Sequence, residues 1–299
     1  MLVVVGPTGS GKSDLAVRLA HHYGSPVISA DSRQVFRGMA IGTAQPDAAQ
    51  LAAIPHHFIA DRDITKSYTC GTFEQEALAL LGRLFAAGHD VVIVAGGSGL
   101  YIDALCYGMD PLPQDSSMRA ELNRRLREEG LVPLVEELHA LDPDYCATVD
   151  RSNPQRVVRA LEVCLLTGLP YSAARSGRRT ERDFRIVKLG IEWPRTELYD
   201  RIDRRTDAMV ASGFEAEARA LHPHRALNAL RTLGYREWFD CFDGITTREE
   251  AIEQIKRNTR RYAKRQLTWF RRDPTIRWVD PNVLADPATL IAELDLLLR

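Results

Sequence analysis

The feature that most constrains the fold lies at residues 2–13, where a short apolar run is followed at once by the sequence GPTGSGKS. Residues 6–13 match the pattern G-x-x-x-x-G-K-[ST], with a strand-like run before them and a helical pattern after them, which is the context that this pattern requires. Glycines let the backbone wrap around a phosphate group, so that N–H groups and the start of the next helix face the anion. The sequence therefore predicts a parallel α/β sheet with a phosphate-binding loop after its first strand.

The loop as a whole is expected to hold the phosphates of a ligand, through Gly6, Pro7, Thr8, Gly9, Ser10, Gly11, Lys12 and Ser13. Lys12 can reach the terminal phosphate, and the hydroxyl of Ser13 suits Mg²⁺. Most loops of this type bind ATP or GTP. Here, however, the apolar run Val91–Val94 continues into AGGSG without the acid that helps nucleotide-hydrolysing proteins to hold Mg²⁺. That omission counts against nucleotide hydrolysis.

Apolar and helical patterns alternate along the first hundred residues. Helical spacing predicts helices at Ser13–Tyr23 and 72–90, and short apolar runs predict strands at 2–5, within 25–32 and at the start of 90–101. Another strand-like run at 184–194 is expected to rejoin the sheet. This alternation is typical of a parallel α/β sheet flanked by helices, with right-handed crossovers.

The pattern changes near residues 108–119, which are rich in proline and polar residues. From there to about residue 180 only helical patterns occur, including one that Asn153 is placed to cap. We therefore predict an all-helical insertion in a larger α/β core. The predicted boundaries are 1–112 for the first part of the core, 113–182 for the insertion and 183–299 for the second part, with its basic C-terminal helices.

The overall composition indicates no partner by itself. The net charge is −1, so a nucleic-acid partner would need a local basic surface. The five cysteines are odd in number and include no C-x-x-C pair, which favours neither a disulfide framework nor a zinc site. No signal peptide is recognisable, and no apolar run approaches the roughly 20 residues of a membrane span. We therefore expect a cytoplasmic protein with no zinc and no membrane segment.

Asp31 ends the second apolar run, in the sequence ISADSRQ. The carboxyl ends of parallel strands line the ligand crevice of such a sheet, so this acid is expected to face the phosphates. Two roles follow from that position. Asp31 could hold a metal ion through water, or it could act as a general base near the transferred group.

A basic segment lies at 256–272, with eight Lys or Arg and no acid. Arg257, Arg261 and Arg265 are spaced by four residues and should share one helix face. An unbalanced basic face on an otherwise neutral protein indicates a polyanionic partner, and RNA is the natural candidate because Arg and aromatic side chains also stack on bases. The insertion, in contrast, has balanced charges, with eleven basic and eleven acidic residues in 115–182.

Arg201 and Arg205 are one helical turn apart in the sequence YDRIDRRTD, and Arg204 is adjacent. They could clamp a diphosphate from the side opposite the glycine loop. The alternative is that they form surface ion pairs with neighbouring acids, and the spacing alone does not separate the two interpretations.

Together these segments resemble the tRNA dimethylallyltransferases of bacterial type, also called tRNA isopentenyltransferases. The resemblance runs in family order along nearly the whole chain, through GPTGSGKS (6–13), DSRQVFRGMAIGTAQP (31–46), GGSGLY (96–101), NPQRVVRALEV (153–163), SGFEAEARAL (212–221), LGYREW (233–238) and TRRYAKRQLTWFRR (259–272). The glycine loop alone is a weak indicator, but its combination with the other segments is highly specific.

The resemblance implies a P-loop NTPase-like core and a transferase activity. Enzymes of this family move a dimethylallyl group from dimethylallyl diphosphate to the exocyclic amine of adenosine 37 in tRNA, beside the anticodon. The expected partners are therefore tRNA and dimethylallyl diphosphate, with Mg²⁺ as cofactor, and the insertion is expected to contact the anticodon stem-loop. We expect the protein to act as a monomer.

The resemblance also implies roles for individual residues. Asp31 would be the general base, Arg205 would lie near the diphosphate with Lys12, and Ser13 would lie near Mg²⁺. Contacts to tRNA would be made by Asp31, Ser32, Arg33, Gln34, Ser98, Arg119, Gln155, Arg156, Val157, Val158 and Arg159. The sequence departs from the family pattern at Phe36, Gln45 and Ser98, where Tyr, Lys and Thr are common, and none of these changes touches the implied chemistry directly.

Three alternatives share parts of this pattern. A small-molecule or nucleotide kinase has the same loop, but the missing acid after Val94 and the basic segment disfavour it. A GTPase-like RNA-binding module would need a guanine-recognition motif such as N-K-x-D, which the sequence lacks. An adenylate isopentenyltransferase, which modifies free AMP, ADP or ATP, belongs to the same family but has no insertion of this kind, so the block at 113–182 favours tRNA.

Overall fold

A computed structural model describes residues 1–175, 177 and 179–298 of the chain. These residues form two compact units, which we call the core unit (Met1–Tyr107 with Arg182–Arg299) and the helical unit (Gly108–Glu181). The first boundary lies at 107/108, whereas the sequence placed it at 112/113. A helix of the core unit ends at Tyr107, and Gly108 then turns the chain with a φ of 80°.

The core unit is built on a sheet in which all the paired strands of the described residues run parallel. Its strands are β1 (Leu2–Val5), β2 (Val27–Ser29), β3 (His56–His57), β4 (Ile93–Gly96), β5 (Val187–Ile191) and β6 (Ile276–Val279). Their order across the sheet is β3-β2-β4-β1-β5-β6. The predicted parallel α/β sheet is confirmed, and the run at 184–194 does rejoin it as β5. The short edge strands β3 and β6 were not predicted.

Strand β1 lies at the centre of the sheet and is buried on both faces. Alternate side chains of a strand point to opposite faces. Accordingly, Val3 and Val5 pack in one hydrophobic core, and Leu2 and Val4 pack in the other. This two-sided burial explains why the strand is a continuous run of branched apolar residues rather than an alternating one.

Helices cover the sheet and form the helical unit. In chain order they are α1 (Lys12–Tyr23), α2 (Ala48–Ala53), α3 (Cys70–Ala86), α4 (Gly99–Tyr107), α5 (Ser116–Glu128), α6 (Leu131–Leu141), α7 (Pro143–Thr148), α8 (Pro154–Thr167), α9 (Tyr171–Ala174), α10 (Arg195–Ala211), α11 (Phe214–Leu221), α12 (Tyr235–Phe242), α13 (Arg248–Phe270) and α14 (Ala288–Leu298). No helix among the described residues is both long and apolar enough to cross a membrane.

The helical unit contains α5 to α9, packed around a small hydrophobic core of its own that includes Leu122, Leu134 and Leu161. A fully buried carboxylate, Glu162, lies beside this core and accepts hydrogen bonds from Arg119 and Arg159. Burial alone would raise the pKa of Glu162, but these two guanidinium groups outweigh it and lower the pKa. The pair of arginines thus keeps Glu162 charged inside the unit.

A buried ion pair fixes the beginning of β5 in the core unit. Lys188 on β5 is 4% exposed, and its Nζ donates to Oδ2 of Asp273 at 2.5 Å and to Oγ1 of Thr275 at 2.9 Å. The hydroxyl of Tyr107 also donates to Asp273, at 2.6 Å. Burial would raise the pKa of Asp273, but these donors outweigh it and hold the pKa far below the usual range for Asp.

Replacing Lys188 with Met should destabilise the protein by about 3 kcal/mol, since removal of one partner leaves a buried charge without its counter-ion. The lowered pKa of Asp273 means that its contribution is present above the ordinary pKa of Asp and is lost as pH falls through the folded-state pKa. The variant should therefore lose less stability in acid than the parent protein. Urea unfolding at several pH values measures both effects, and Lys66→Met on the exposed surface is the control. If the two variants lost the same free energy of unfolding, the buried ion pair would not have the stabilising role described.

Candidate active site

A cavity of about 960 Å³ opens in the core unit at the carboxyl end of the sheet. Five parts of the chain supply most of its lining: the loop between β1 and α1, the segment that follows β2, the segment at 231–236, and one side each of α10 and α13. The parallel order of the strands brings the first two of these to the same edge of the sheet. The cavity is therefore the ligand crevice that the sequence predicted for such a fold.

The phosphate-binding loop depends on glycine at two positions. Gly9 and Gly11 have φ angles of 81° and 87°, a left-handed conformation that side chains disfavour. A Cβ atom at Gly11 would also lie 2.6 Å from a methyl carbon of Leu284. These two turns direct the chain into α1, whose N-terminus then faces the cavity, as anion binding requires.

Two carbonyl groups of this loop are held by side chains from later parts of the chain. Arg201 donates through Nε to the carbonyl oxygen of Gly9 at 2.8 Å, and Trp193 donates through its indole N–H to that of Ser10 at 2.9 Å. The guanidinium of Arg201 also lies 4.3 Å from the ring centre of Trp193. These contacts fix the backbone orientation of the loop, and they place Arg201 against the loop rather than in an ion pair with its acidic neighbours.

Arg205 also contacts the loop, through a hydrogen bond of 3.2 Å to the hydroxyl of Thr8. Its pKa is lowered by burial, which the carboxylate of Asp31 partly opposes. Lys12 donates to the carbonyl of Pro7 at 3.4 Å. Burial, and secondly the charge of Arg205, lower the pKa of Lys12 to about 8. The charge of Asp31 therefore does not compensate for the burial of these two cations, and an anionic ligand would stabilise them.

The charges that line the cavity are strongly unbalanced. Eight basic side chains face only three carboxylates, those of Asp14, Asp31 and Asp47. The basic residues are Lys12, Arg33, Arg201, Arg204, Arg205, Arg231, Arg236 and Arg265. Such an excess of positive charge attracts polyanions and raises their local concentration.

The carboxylate of Asp31 is held by backbone N–H groups that follow it closely in the chain. Its Oδ1 accepts hydrogen bonds from the N–H groups of Arg33 at 2.9 Å and Gln34 at 3.3 Å. No hydrogen bond from the described residues reaches its Oδ2, although the group lines the cavity. Asp31 therefore offers one oriented, unoccupied oxygen, the arrangement expected of a proton acceptor.

The structure places the neighbours of Asp31 in different surroundings. Ser32 and Arg33 line the cavity, whereas Ser98 is absent from its lining and instead accepts a hydrogen bond of 3.0 Å from the N–H of Ser32. The side-chain amide of Gln34 lines the cavity but is bonded to Ser29 at 2.9 Å and to the carbonyl of Ala44 at 2.8 Å. Ser98 and Gln34 thus support the loop around Asp31.

The predicted RNA-contacting residues of α8 lie on two faces of that helix. Gln155 and Arg156 are exposed, but Val157 and Val158 are buried in the core of the helical unit. The side chains of these two valines pack in that core and present no surface to RNA. Arg159, like Arg119, pairs with Glu162.

The basic segment of α13 also divides between two faces. Lys256 and Arg260 are paired with acids of α10, at 2.7 Å from Asp207 and 2.5 Å from Asp203. The other basic residues at 256–270 are exposed and form no ion pair with the described residues; they are Arg257, Arg261, Lys264 and Arg265. Arg257, Arg261 and Arg265, the three arginines predicted to share one helix face, are thus all exposed, and Lys264 is exposed beside them.

Gln266 is a buried residue of α13 that lines the cavity and that the sequence did not predict. Its side chain binds the backbone N–H of Thr8 at 2.9 Å. A glutamine on a mostly basic helix belongs to no recognisable sequence motif. The only sequence signal for Gln266 is the helical spacing that places it on the buried face of α13.

The cavity also offers oxygen ligands suited to Mg²⁺. Ser13, Asp14 and Asp31 all line it, and the described residues contain no group of three or more His, Cys, Asp or Glu that could hold a metal ion alone. Mg²⁺ commonly takes one or two carboxylates and completes its shell with water and substrate phosphates. The donor set therefore fits a magnesium ion that binds together with a phosphate ligand.

Comparisons with known proteins agree on one family. Residues 34–273 match the IPP transferase family. A tRNA dimethylallyltransferase of Christiangramia forsetii is 47% identical over 281 residues, covering 94% of this chain and 93% of that protein. A second, from Cytophaga hutchinsonii, is 48% identical over 292 residues, covering 97% and 96%.

Solved structures show the same relationship. The tRNA isopentenylpyrophosphate transferase of Bacillus halodurans is 36% identical with a TM-score of 0.69, covering 98% of this chain and 95% of that one. A eukaryotic dimethylallyltransferase acting on tRNA has a TM-score of 0.77 at 24% identity, which is a likeness of fold alone.

The lowered pKa of Lys12 predicts how anion binding depends on pH. Pyrophosphate binds better to the charged amine, so its dissociation constant should rise with pH above about 8, by up to about tenfold per pH unit. Lys12→Met should bind pyrophosphate more weakly and lose this rise. Calorimetric titrations at constant Mg²⁺ measure the dissociation constant of pyrophosphate and its change with pH, and Lys66→Met is the control. If the affinity of the parent protein stayed constant from about pH 7 to about pH 9.5, Lys12 would not be the group that binds the anion.

Proposed function

Because this chain belongs to the IPP transferase family, we propose that it transfers a dimethylallyl group from dimethylallyl diphosphate to N6 of adenosine 37 in tRNA. The single observation that carries the proposal is the shared cavity of Asp31, Lys12 and Arg205. A proton acceptor and a cationic diphosphate site face the same space there. Prenyl transfer to an amine needs both at once.

The donor side of the reaction is the phosphate-binding loop. The loop N–H groups, Lys12 and Arg205 would bind the diphosphate and stabilise the charge that it gains as it departs. Since both cations have lowered pKa values in the free protein, an incoming diphosphate supplies the negative charge that they lack. The loop would thus hold a leaving group rather than a nucleotide to be hydrolysed.

The acceptor side is Asp31. The adenine amine would attack C1 of the dimethylallyl group, forming the N6–C1 bond while the C1–O bond breaks and its electron pair leaves with diphosphate. Oδ2 of Asp31 would take the proton that N6 releases, since Oδ1 is already occupied by backbone N–H groups. General-base assistance of this kind contributes about 10²–10⁴-fold to a rate.

Ser13 is proposed to hold Mg²⁺, with Asp14 supplying a carboxylate directly or through water, so that Oδ2 of Asp31 stays free to take the proton. When bound, the ion would neutralise part of the diphosphate charge. This part of the proposal rests on the oxygen donors that line the cavity beside the phosphate-binding loop.

The tRNA would be held by positive charge around the cavity and by the helical unit. The exposed arginines of α13 and the cavity residues Arg231 and Arg236 suit phosphate groups of RNA. In the helical unit, Gln155 and Arg156 are the exposed members of the predicted contact segment. The adenosine would leave its base stack to reach Asp31, as other base-modifying enzymes require. We expect this activity in the cytoplasm.

Incubation with radiolabelled dimethylallyl diphosphate and either unmodified tRNA or AMP tests the function. The expected result is label in tRNA, at one adenosine next to the anticodon, and none in AMP. Label in AMP but not in tRNA would favour the adenylate-modifying alternative, and label in neither would overturn the proposal.

Asp31→Asn is expected to lower kcat by about 10²–10⁴-fold, because the amide cannot accept the proton. It keeps the size of the side chain and its hydrogen bonds to Arg33 and Gln34, so tRNA affinity should remain within about threefold of the parent value. Single-turnover transfer and filter binding measure the two effects. Asp200→Asn, an exposed change on α10, is the control. Near-normal turnover by Asp31→Asn would exclude Asp31 as the base.

A further inference from the structure

The buried side chain of Gln266 joins two loops of the site that are far apart in the sequence. It is 6% exposed. Its Oε1 accepts a hydrogen bond of 2.9 Å from the N–H of Thr8, and its Nε2 donates one of 2.8 Å to the carbonyl of Gly97. The first partner belongs to the loop after β1, and the second to the loop after β4. We call this pair of hydrogen bonds the Gln266 bridge.

The chemistry of the bridge is specific to an amide. A backbone N–H only donates and a carbonyl only accepts, so the linking side chain must present an acceptor to Thr8 and a donor to Gly97 at the same time. The space is equally restricted, since a Cβ atom at position 97 would lie 2.4 Å from Nε2 of Gln266. Glycine at position 97 is therefore required for the bridge to close.

The second loop leads directly to the proposed base. Next to Gly97, the hydroxyl of Ser98 accepts the hydrogen bond from the N–H of Ser32, and the N–H of Ser98 donates to the carbonyl of Ala30 at 3.3 Å. These two contacts lie on either side of Asp31. The Gln266 bridge thus connects the loop that binds diphosphate with the segment that carries the proton acceptor.

We propose that Gln266 is a positioning residue of the transfer reaction, an inference that rests on the proposed function. It sets the distance between the diphosphate loop and the Asp31 segment, so that C1 of the donor and N6 of the acceptor meet in line. Gln266 touches neither reacting atom. A displacement of about 1 Å at such a site can cost about 10²-fold in rate, so its loss should act on kcat and leave the binding of each substrate largely intact.

Gln266→Ala tests this directly. The expected result is a kcat lowered roughly 10- to 100-fold, with the KM for dimethylallyl diphosphate and the Kd for tRNA within about threefold of the parent values. Gln254→Ala, on the same helix but away from the cavity, is the matched control and should leave all three unchanged. Thermal unfolding of each variant shows whether the fold is retained.

Gln266→Glu separates positioning from simple packing. The ionised carboxylate can still accept from Thr8 but cannot donate to Gly97, whereas the protonated acid can do both. The activity of this variant relative to the parent should therefore rise as pH is lowered from about 8.5 to about 6. If Gln266 only filled space, the activity of Gln266→Glu relative to the parent would not rise as pH is lowered.

Gly97→Ala provides an independent route to the same effect, because the added methyl group would displace Nε2 of Gln266. Its loss of kcat should match that of Gln266→Ala, and the double variant should lose no more than the larger single loss. Additive losses would overturn the proposal, as would a kcat of Gln266→Ala within about twofold of the parent.

Failure of the proposed function and failure of the positioning role give different results. If the parent protein did not modify tRNA, the proposed function would fall and the positioning role with it. If the parent protein were active and Gln266→Ala were equally active, only the positioning role would fall.

Discussion

The site depends on the parallel arrangement of strands around β1. Because β1 pairs with β4 and β4 with β2, the chain segments that follow these strands all emerge at one edge of the sheet. The ends of β2 and β4 approach so closely that a Cβ atom at Gly96 would lie 2.2 Å from the carbonyl oxygen of Ala30. This contact leaves room only for glycine, and it brings Asp31 beside the loop that contains Ser98. The shared edge is what allows a phosphate site and a proton acceptor to serve one cavity.

The electrostatics of the cavity follow from that geometry. Lys12 and Arg205 are gathered around a loop that points its N–H groups at the same space, and the carboxylate of Asp31 compensates them only in part. Burial of like charges costs stability in the free protein and is characteristic of functional sites. An anionic ligand offsets this cost. Such a site therefore destabilises the free protein and is stabilised when a diphosphate binds.

The sequence predicted those parts of the site that have a local pattern. The glycine loop and Asp31 follow strands directly, and their positions could be inferred from strand ends alone. The pattern did not show that Val157 and Val158 would turn inward, because a contiguous motif on a helix always divides between two faces. Nor did it single out Gln266, whose partners Thr8 and Gly97 are brought to it only by the tertiary fold.

We expect the dimethylallyl donor and the adenosine acceptor to meet between the phosphate-binding loop and Asp31. A crystal structure of the protein with an unreactive thio-analogue of dimethylallyl diphosphate and an anticodon stem-loop measures this most directly. The account predicts the diphosphate on the loop N–H groups and Lys12, with N6 of the adenine about 2.6–3.2 Å from Oδ2 of Asp31. A structure with the diphosphate bound on the loop but the adenine amine held by another residue, away from Asp31, would contradict it.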